Sequence, residues 1–220
     1  MEDRLKKERE HMDLMLLQVK QYANNSDQGV LQVDKNITSN IVEEFFEKFW
    51  RRKIAYNPRK REQVVETMVE IADKIGVSYT IGKIVYDLQD ECEPYRRMVM
   101  ETVDKILGKL GGSDIDSSIG EVLMESIIYA YREQTTDYDT DDVILNGFCR
   151  VLKALHRDIV RPYLEQIYLM MKCLMEENNT KQAKVRLWQQ VADLCNRIRW
   201  ECEEEQFNDE LLSEFPHLIL

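Results

Sequence analysis

Apolar residues return at intervals of three and four along nearly the whole chain, and the breaks between these runs fall at short turns, the pattern of amphipathic helices packed as hairpins. About nine helices are expected. The first runs from about residue 2 to 23, with Leu5, Met12, Met15, Leu16, Val19 and Tyr22 on one face and two opening turns charged enough to fray. A second begins near Thr38 or Ser39, either able to cap it, and carries Ile41, Val42, Phe45, Phe46, Phe49 and Trp50 as a broad apolar stripe. Asn57-Pro58 opens a third that stops at Gly76, Ser78 caps a short fourth ending near Asp90, and Pro94 opens a fifth that runs to Gly111 and Gly112. Further helices are expected at about 116–134, 141–156, 160–177 and 181–203, with a last fragment from about 208.

Links this short force consecutive helices to lie antiparallel, so the chain should stack as hairpins. Internal repetition favours an open stack over a closed bundle. Arg61 to Gly76 superimposes without gaps on Arg96 to Gly111, placing Glu66-Thr67 on Glu101-Thr102, Ile71 on Ile106 and Lys74 on Lys109. Later hairpins are longer, roughly 40 residues, and two helices per unit at this period describe an all-α solenoid of HEAT or armadillo type; the tryptophan, glycine and tyrosine spacing of tetratricopeptide repeats is missing. The expected organisation is one HEAT-repeat domain over residues 1–220, with about four hairpins and partial end repeats. Its last apolar stretch, Leu211 to Leu220, is expected to dock back on the preceding hairpin or to mediate self-association.

Composition sharpens this picture. Of 220 residues 44% are hydrophobic, enough for a sizeable core, while 8 glycines and 4 prolines are too few turn residues for a many-stranded sheet. The formal charge of −11 argues against wrapping nucleic acid by net charge. Cysteines 92, 149, 173, 195 and 202 form no CxxC pair, and an odd count argues against a disulfide framework, so they are expected to be reduced and mostly buried. With a charged N-terminus and no apolar run of about 18 residues, the chain is expected to be soluble, intracellular and not membrane-bound.

Catalytic signatures are missing: GxSxG, HExxH, the Walker lysine loop and GxGxxG do not occur. His11, His156 and His217 belong to different helices, and His156 is expected to meet a helix C-terminal dipole. The acidic turn Asp137 to Asp142 has an aspartate where a calcium loop needs glycine, and Phe148 stands where its bidentate glutamate would be. No catalytic residue, cofactor, metal or small-molecule substrate is therefore expected. An all-α metal-dependent hydrolase would need Glu-x-x-His pairs on neighbouring helices; the two pairs with that spacing, Glu8 with His11 and Glu214 with His217, stand at opposite ends of the chain.

One charge feature stands out in so acidic a chain. Arg51, Arg52 and Lys53 are followed by Arg59, Lys60 and Arg61 around one inter-helix turn, a candidate contact for a protein partner or RNA phosphates. The plainer reading puts the first three at a helix C-terminus, where cations are favoured, and the rest on a solvated face. Arg96, Arg97 and Arg186 lie early in second helices with Asp87, Asp90, Glu176 and Glu177 upstream, so ion pairs within each hairpin are expected. The aromatic cluster from Phe45 to Trp50, the methionines at 98, 100, 170, 171 and 175, and Trp188 are expected in the core.

Several strings resemble a known family, the large HEAT-repeat subunit 1 of splicing factor 3b, part of the spliceosomal snRNP that recognises the intron branch site. They are YRRMVMETVDKILGKLGGSDID from Tyr95, YREQTT from Tyr131, ILNGF from Ile144, RPYLEQI from Arg161, and AKVR with VADL between Ala183 and Leu194. The resemblance covers roughly residues 38 to 200; residues 1–30 and the tail beyond about Trp200 depart from it. It implies a non-catalytic, nuclear scaffold for pre-mRNA splicing that holds other splicing factor 3b subunits and spliceosomal proteins, with snRNA or pre-mRNA enclosed in the full assembly. The family subunit is far larger, so the match is to the middle of its array, short of the later repeats that hold the branch adenosine. A HEAT adaptor of transport or phosphatase assembly is the alternative.

Overall fold

A computed structural model of the chain describes residues 35–133 and 143–164, together with Lys6, Lys7, Glu10, His11, Leu14, Leu17, Gln166 and Ile167. Every described element is helical. They are α1 (Lys35–Phe49), α2 (Arg52–Ala55), α3 (Pro58–Ile75), α4 (Val77–Ile84) continued by a 3-10 turn (Val85–Gln89), α5 (Glu93–Leu110), α6 (Ser117–Arg132), α7 (Val143–Ala154), and α8 (Arg157–Val160) continued by a second 3-10 turn (Arg161–Tyr163). The expected helices beyond residue 167, the apolar tail, the acidic turn Asp137 to Asp142, Arg186, Trp188 and Cys173, Cys195 and Cys202 lie outside the described residues.

The chain folds into two layers. One layer holds α3, α5 and α7 side by side; the other holds α4 with its 3-10 turn, α6 and α8. Three hairpins follow in order: α1 and α3 with the short α2 between them packed on α3, then α4 with α5, and α6 with α7. Apolar positions three and four apart supply the surface between layers: Val64, Met68 and Ile71 of α3, Met98, Val99, Val103 and Ile106 of α5, Leu123, Met124 and Ile127 of α6, and Phe148, Val151 and Leu152 of α7 are all buried. Each such side chain contributes about 1.5–3 kcal/mol by leaving water. Phe45, Phe49, Trp50, Met98 and Met100 are core residues as expected, and Phe46 packs half-buried against them.

The internal repeat is structural. Helices α3 and α5 are both 18 residues long, each has proline in its first turn, and each ends on a glycine of positive φ, Gly76 at 104° and Gly111 at 79°. Thr67 donates to the Gln63 carbonyl and Thr102 to the Met98 carbonyl, each at 2.8 Å, so the repeat extends to a buried hydroxyl on the equivalent turn.

Three boundaries differ from the sequence-based expectation. Helix α1 begins at Lys35, so Thr38 and Ser39 lie inside it rather than at its cap. Ser78 does not cap α4: Gly76 closes α3 and opens α4 at once, leaving no residue between them to serve. The Asp114 carboxylate from the loop after α5 accepts from the backbone N–H groups of Val77 and Ser78 instead, at 3.1 and 3.2 Å. The eighth helix starts at Arg157, not near 160. His156 is its N-cap, with its ring Nδ1 accepting from the Asp158 N–H at 3.5 Å, so it opens a helix rather than meeting a C-terminal dipole.

Candidate functional site

The basic turn lies where α1, α2 and α3 meet the second hairpin, and Arg52 and Arg61 reach across to that hairpin. Arg52 reaches across to Asp90 and Glu91, both at 2.9 Å, and Arg61 pairs with Glu101 of α5 at 3.3 Å. Arg51 is exposed and its guanidinium donates to the Glu47 carbonyl, closing the end of α1 as the plainer reading proposed. Lys53 and Arg59 are exposed and form no ion pair among the described residues. Lys60 is half-buried, and its backbone N–H donates to the Asn57 side chain that caps α3 at 3.1 Å. The turn thus divides into Arg52 and Arg61, which tie hairpins together, Arg51, which closes α1, and Lys53 and Arg59, which face outward.

Behind the turn sits a half-buried polar joint. Asp87 of the 3-10 turn accepts from Trp50 Nε1 at 2.7 Å and from the Tyr95 hydroxyl at 3.1 Å, linking the end of α1 to the hairpin of α4 and α5. Loss of water pushes the Asp87 carboxyl above its usual range, and the two donors only partly oppose this. Burial, with Asp87 alongside, also raises the Tyr95 phenol.

Arg96 departs from the ion pair expected of it. It is buried, 4% exposed, and makes no bond to the Asp87 or Asp90 carboxylate; its guanidinium donates to the carbonyls of Asp90 at 2.7 Å, Glu91 at 3.2 Å and, beyond the end of α6, Glu133 at 2.6 Å. A planar fork of donors suits three converging carbonyls at helix ends, where backbone acceptors are left over. Arg97 pairs within its own helix, with Glu93 at 3.4 Å.

Three residues that sequence reasoning did not group with the turn converge on it. Lys7 and His11 of the N-terminal stretch and Lys48 of α1 line one open cleft of about 370 Å³ with Lys53 and Lys60, over Phe49 and Ile54. Lys6, Lys7, Glu10 and His11 are helical, and the His11 ring lies 6.0 Å from that of Phe49, while Lys6, Lys7 and Glu10 are exposed. The spacing of Lys7 and His11, one helical turn apart, was the available signal; their partner helix was not legible.

Chemistry at the described residues is quiet. Cys149 is buried and its thiol is pushed up to about 11, mainly by loss of water, so it stays protonated and unreactive near neutral pH. Among the described residues no group of three His, Cys, Asp or Glu side chains is placed to hold a metal, and no helix is long and apolar enough to cross a membrane.

Two layers of antiparallel hairpins, joined by contacts that recur at nearly constant separation, define the class as an all-α helical-repeat solenoid of HEAT type. No family model matches the chain. It is similar to the U2 snRNP component prp10 of Schizosaccharomyces pombe, 36% identical over 189 residues, and to the U2 snRNP component HSH155 of Saccharomyces cerevisiae, 35% identical over 162. These matches cover 86% and 73% of this chain but 15% and 16% of the relatives' own lengths. The chain belongs with the family its residue strings resemble, as a homologue of a segment of splicing factor 3b subunit 1.

Proposed function

We propose that the chain acts in pre-mRNA splicing as a non-catalytic scaffold segment, one stretch of helical repeats that presents surfaces to other components of the U2 snRNP. The observation that carries this is the 36% identity with a U2 snRNP component across 86% of the chain. The architecture supports it, since stacked hairpins offer long, shallow surfaces suited to holding partners. The partners in this reading are other splicing factor 3b subunits and spliceosomal proteins, with snRNA or pre-mRNA in the complete assembly, and the setting is the nucleus. The exposed Arg51, Lys53 and Arg59, with the half-buried Lys60, are the positions proposed to meet a partner; Arg52 and Arg61 serve the stack itself.

Affinity purification of the tagged chain from nuclear extract, with mass spectrometry and sequencing of bound RNA, tests the proposal. Recovery of splicing factor 3b subunits together with U2 snRNA is expected. Recovery of transport or phosphatase assemblies in their place would overturn it.

A further inference from the structure

The cleft beside the basic turn combines a cationic rim with an apolar floor. Lys7, Lys48, Lys53 and Lys60 reach it from different parts of the chain, while Phe49 and Ile54, both largely buried, form its base. None of the described residues that line it is acidic. Glu44 stands nearby, held by Lys48 and 3.9 Å from His11, but Lys7 and Lys53 make no ion pair among the described residues. In a chain of net charge −11, such a concentration of ammonium groups around a concavity is a local inversion of the protein's field.

We infer that this cleft binds an acidic peptide segment of a partner protein, its carboxylates on the lysine rim and an apolar side chain over Phe49 and Ile54. Size favours a peptide: about 370 Å³ lies near the lower end of ligand-pocket volumes and takes a few side chains, not a folded surface. RNA is disfavoured on three grounds. The rings that line the cleft offer no open stacking face, because Phe49 is packed against Phe45 at 5.6 Å and His11 leans on it; the exposed Tyr56 of the turn is not among the lining residues. The arginines best shaped to fork onto phosphates, Arg52 and Arg61, are occupied by Asp90, Glu91 and Glu101. A long polyanion would also run out of the cleft onto an acidic protein, whereas a short acidic segment meets the lysines alone. The inference deepens the scaffold reading by naming the chemistry of one partner, yet it does not need that partner to be a splicing protein.

Fluorescence anisotropy of the purified full chain tests it, using a labelled peptide of mixed glutamate and leucine, its glutamine counterpart, and a single-stranded uridine oligonucleotide of equal charge. The glutamate peptide is expected to bind, the glutamine peptide not, and binding should weaken as salt rises. Combining Lys53→Glu with Lys60→Glu should weaken binding about tenfold or more, the neutral pair Lys53→Gln and Lys60→Gln by less, and Lys109→Glu in the last turn of α5 by under about twofold. Lys53 is exposed, and an acid at Lys60 suits the first turn of α3, so these variants should fold, which circular dichroism checks. Absent peptide binding, affinity indifferent to the double reversal, or tighter binding of the oligonucleotide would each overturn the inference. Purification from nuclear extract reads the splicing role separately, so failure of the cleft and failure of that role are distinguishable.

Discussion

The first and second hairpins are held together differently from the second and third. Between the first two, charged side chains reach across the joint: Lys83 to Glu43, Arg52 to Asp90 and Glu91, Arg61 to Glu101, and Lys109 to Glu70. Between the second and third, Arg150 to Asp104 at 3.1 Å is the one such ion pair among the described residues. Closeness of backbone replaces charge there. A Cβ at Gly147 would overlap the Met100 side chain, and one at Gly112 would come within 3.0 Å of the Ala154 carbonyl. Polar bonds at this second joint are made to main chain or are half-buried: Arg96 to the Glu133 carbonyl, Asp114 to the α4 N-terminus, and Gln89 to the Ser126 hydroxyl at 3.0 Å. Exposed ion pairs contribute about 0–1 kcal/mol each and fade with salt, whereas packing and buried hydrogen bonds do not. The surface of the first joint should therefore be the more salt-sensitive and adjustable, over a half-buried centre where Asp87 accepts from Trp50 and Tyr95.

The largest effect is expected where the second joint is broken at its polar centre. Arg96→Ala leaves three carbonyls facing a cavity and should cost about 3 kcal/mol in urea unfolding. Gly147→Val should cost about 2 kcal/mol, since Met100 must move from a fully packed site, and hydrogen exchange should quicken in α5 and α7 before α3. If exchange quickened first in α3, the contrast between joints would fail.

Asp87 sharpens the comparison through pH. Its carboxyl is raised in the folded chain, so the folded state keeps a proton that the unfolded state has lost, and stability falls as pH rises from the ordinary aspartate value to the raised one. Asp87→Asn keeps an acceptor for Trp50 and Tyr95 but carries no charge to desolvate. Its stability relative to the parent should therefore increase as pH rises from the ordinary aspartate range through the raised value and stay level above, as urea titrations at each pH would show. A pH-independent difference would mean that Asp87 is better solvated than its burial implies. The smallest effect belongs to the first joint's surface pairs: Arg52→Ala should lower the melting temperature slightly at low salt and not measurably at about 1 M, as thermal melts would show.

Local signals carried most of the fold. Proline at the start and glycine at the end of α3 and α5 mark boundaries by backbone chemistry alone, the 35-residue offset aligns their buried turns, and the stripe from Phe45 to Trp50 turned inward as its spacing required. The same reasoning misplaced what depends on a neighbour. Ser78 has the right chemistry for a cap, yet Asp114 does the work from the far side of the second hairpin. Arg96 sits beside acids in sequence, yet leftover carbonyls gather around it.

The candidate site divides in the same way. Six basic residues around one turn are visible in the sequence, as are the strings that identify the family. Which of the six are occupied, and that Lys7, His11 and Lys48 join Lys53 and Lys60 at one cleft, was decided by tertiary structure. Helical period and turn chemistry are encoded within a few residues. Contacts between hairpins join positions 36 to 46 residues apart, and their register depends on turn lengths and on how closely backbones can approach, which no local pattern specifies.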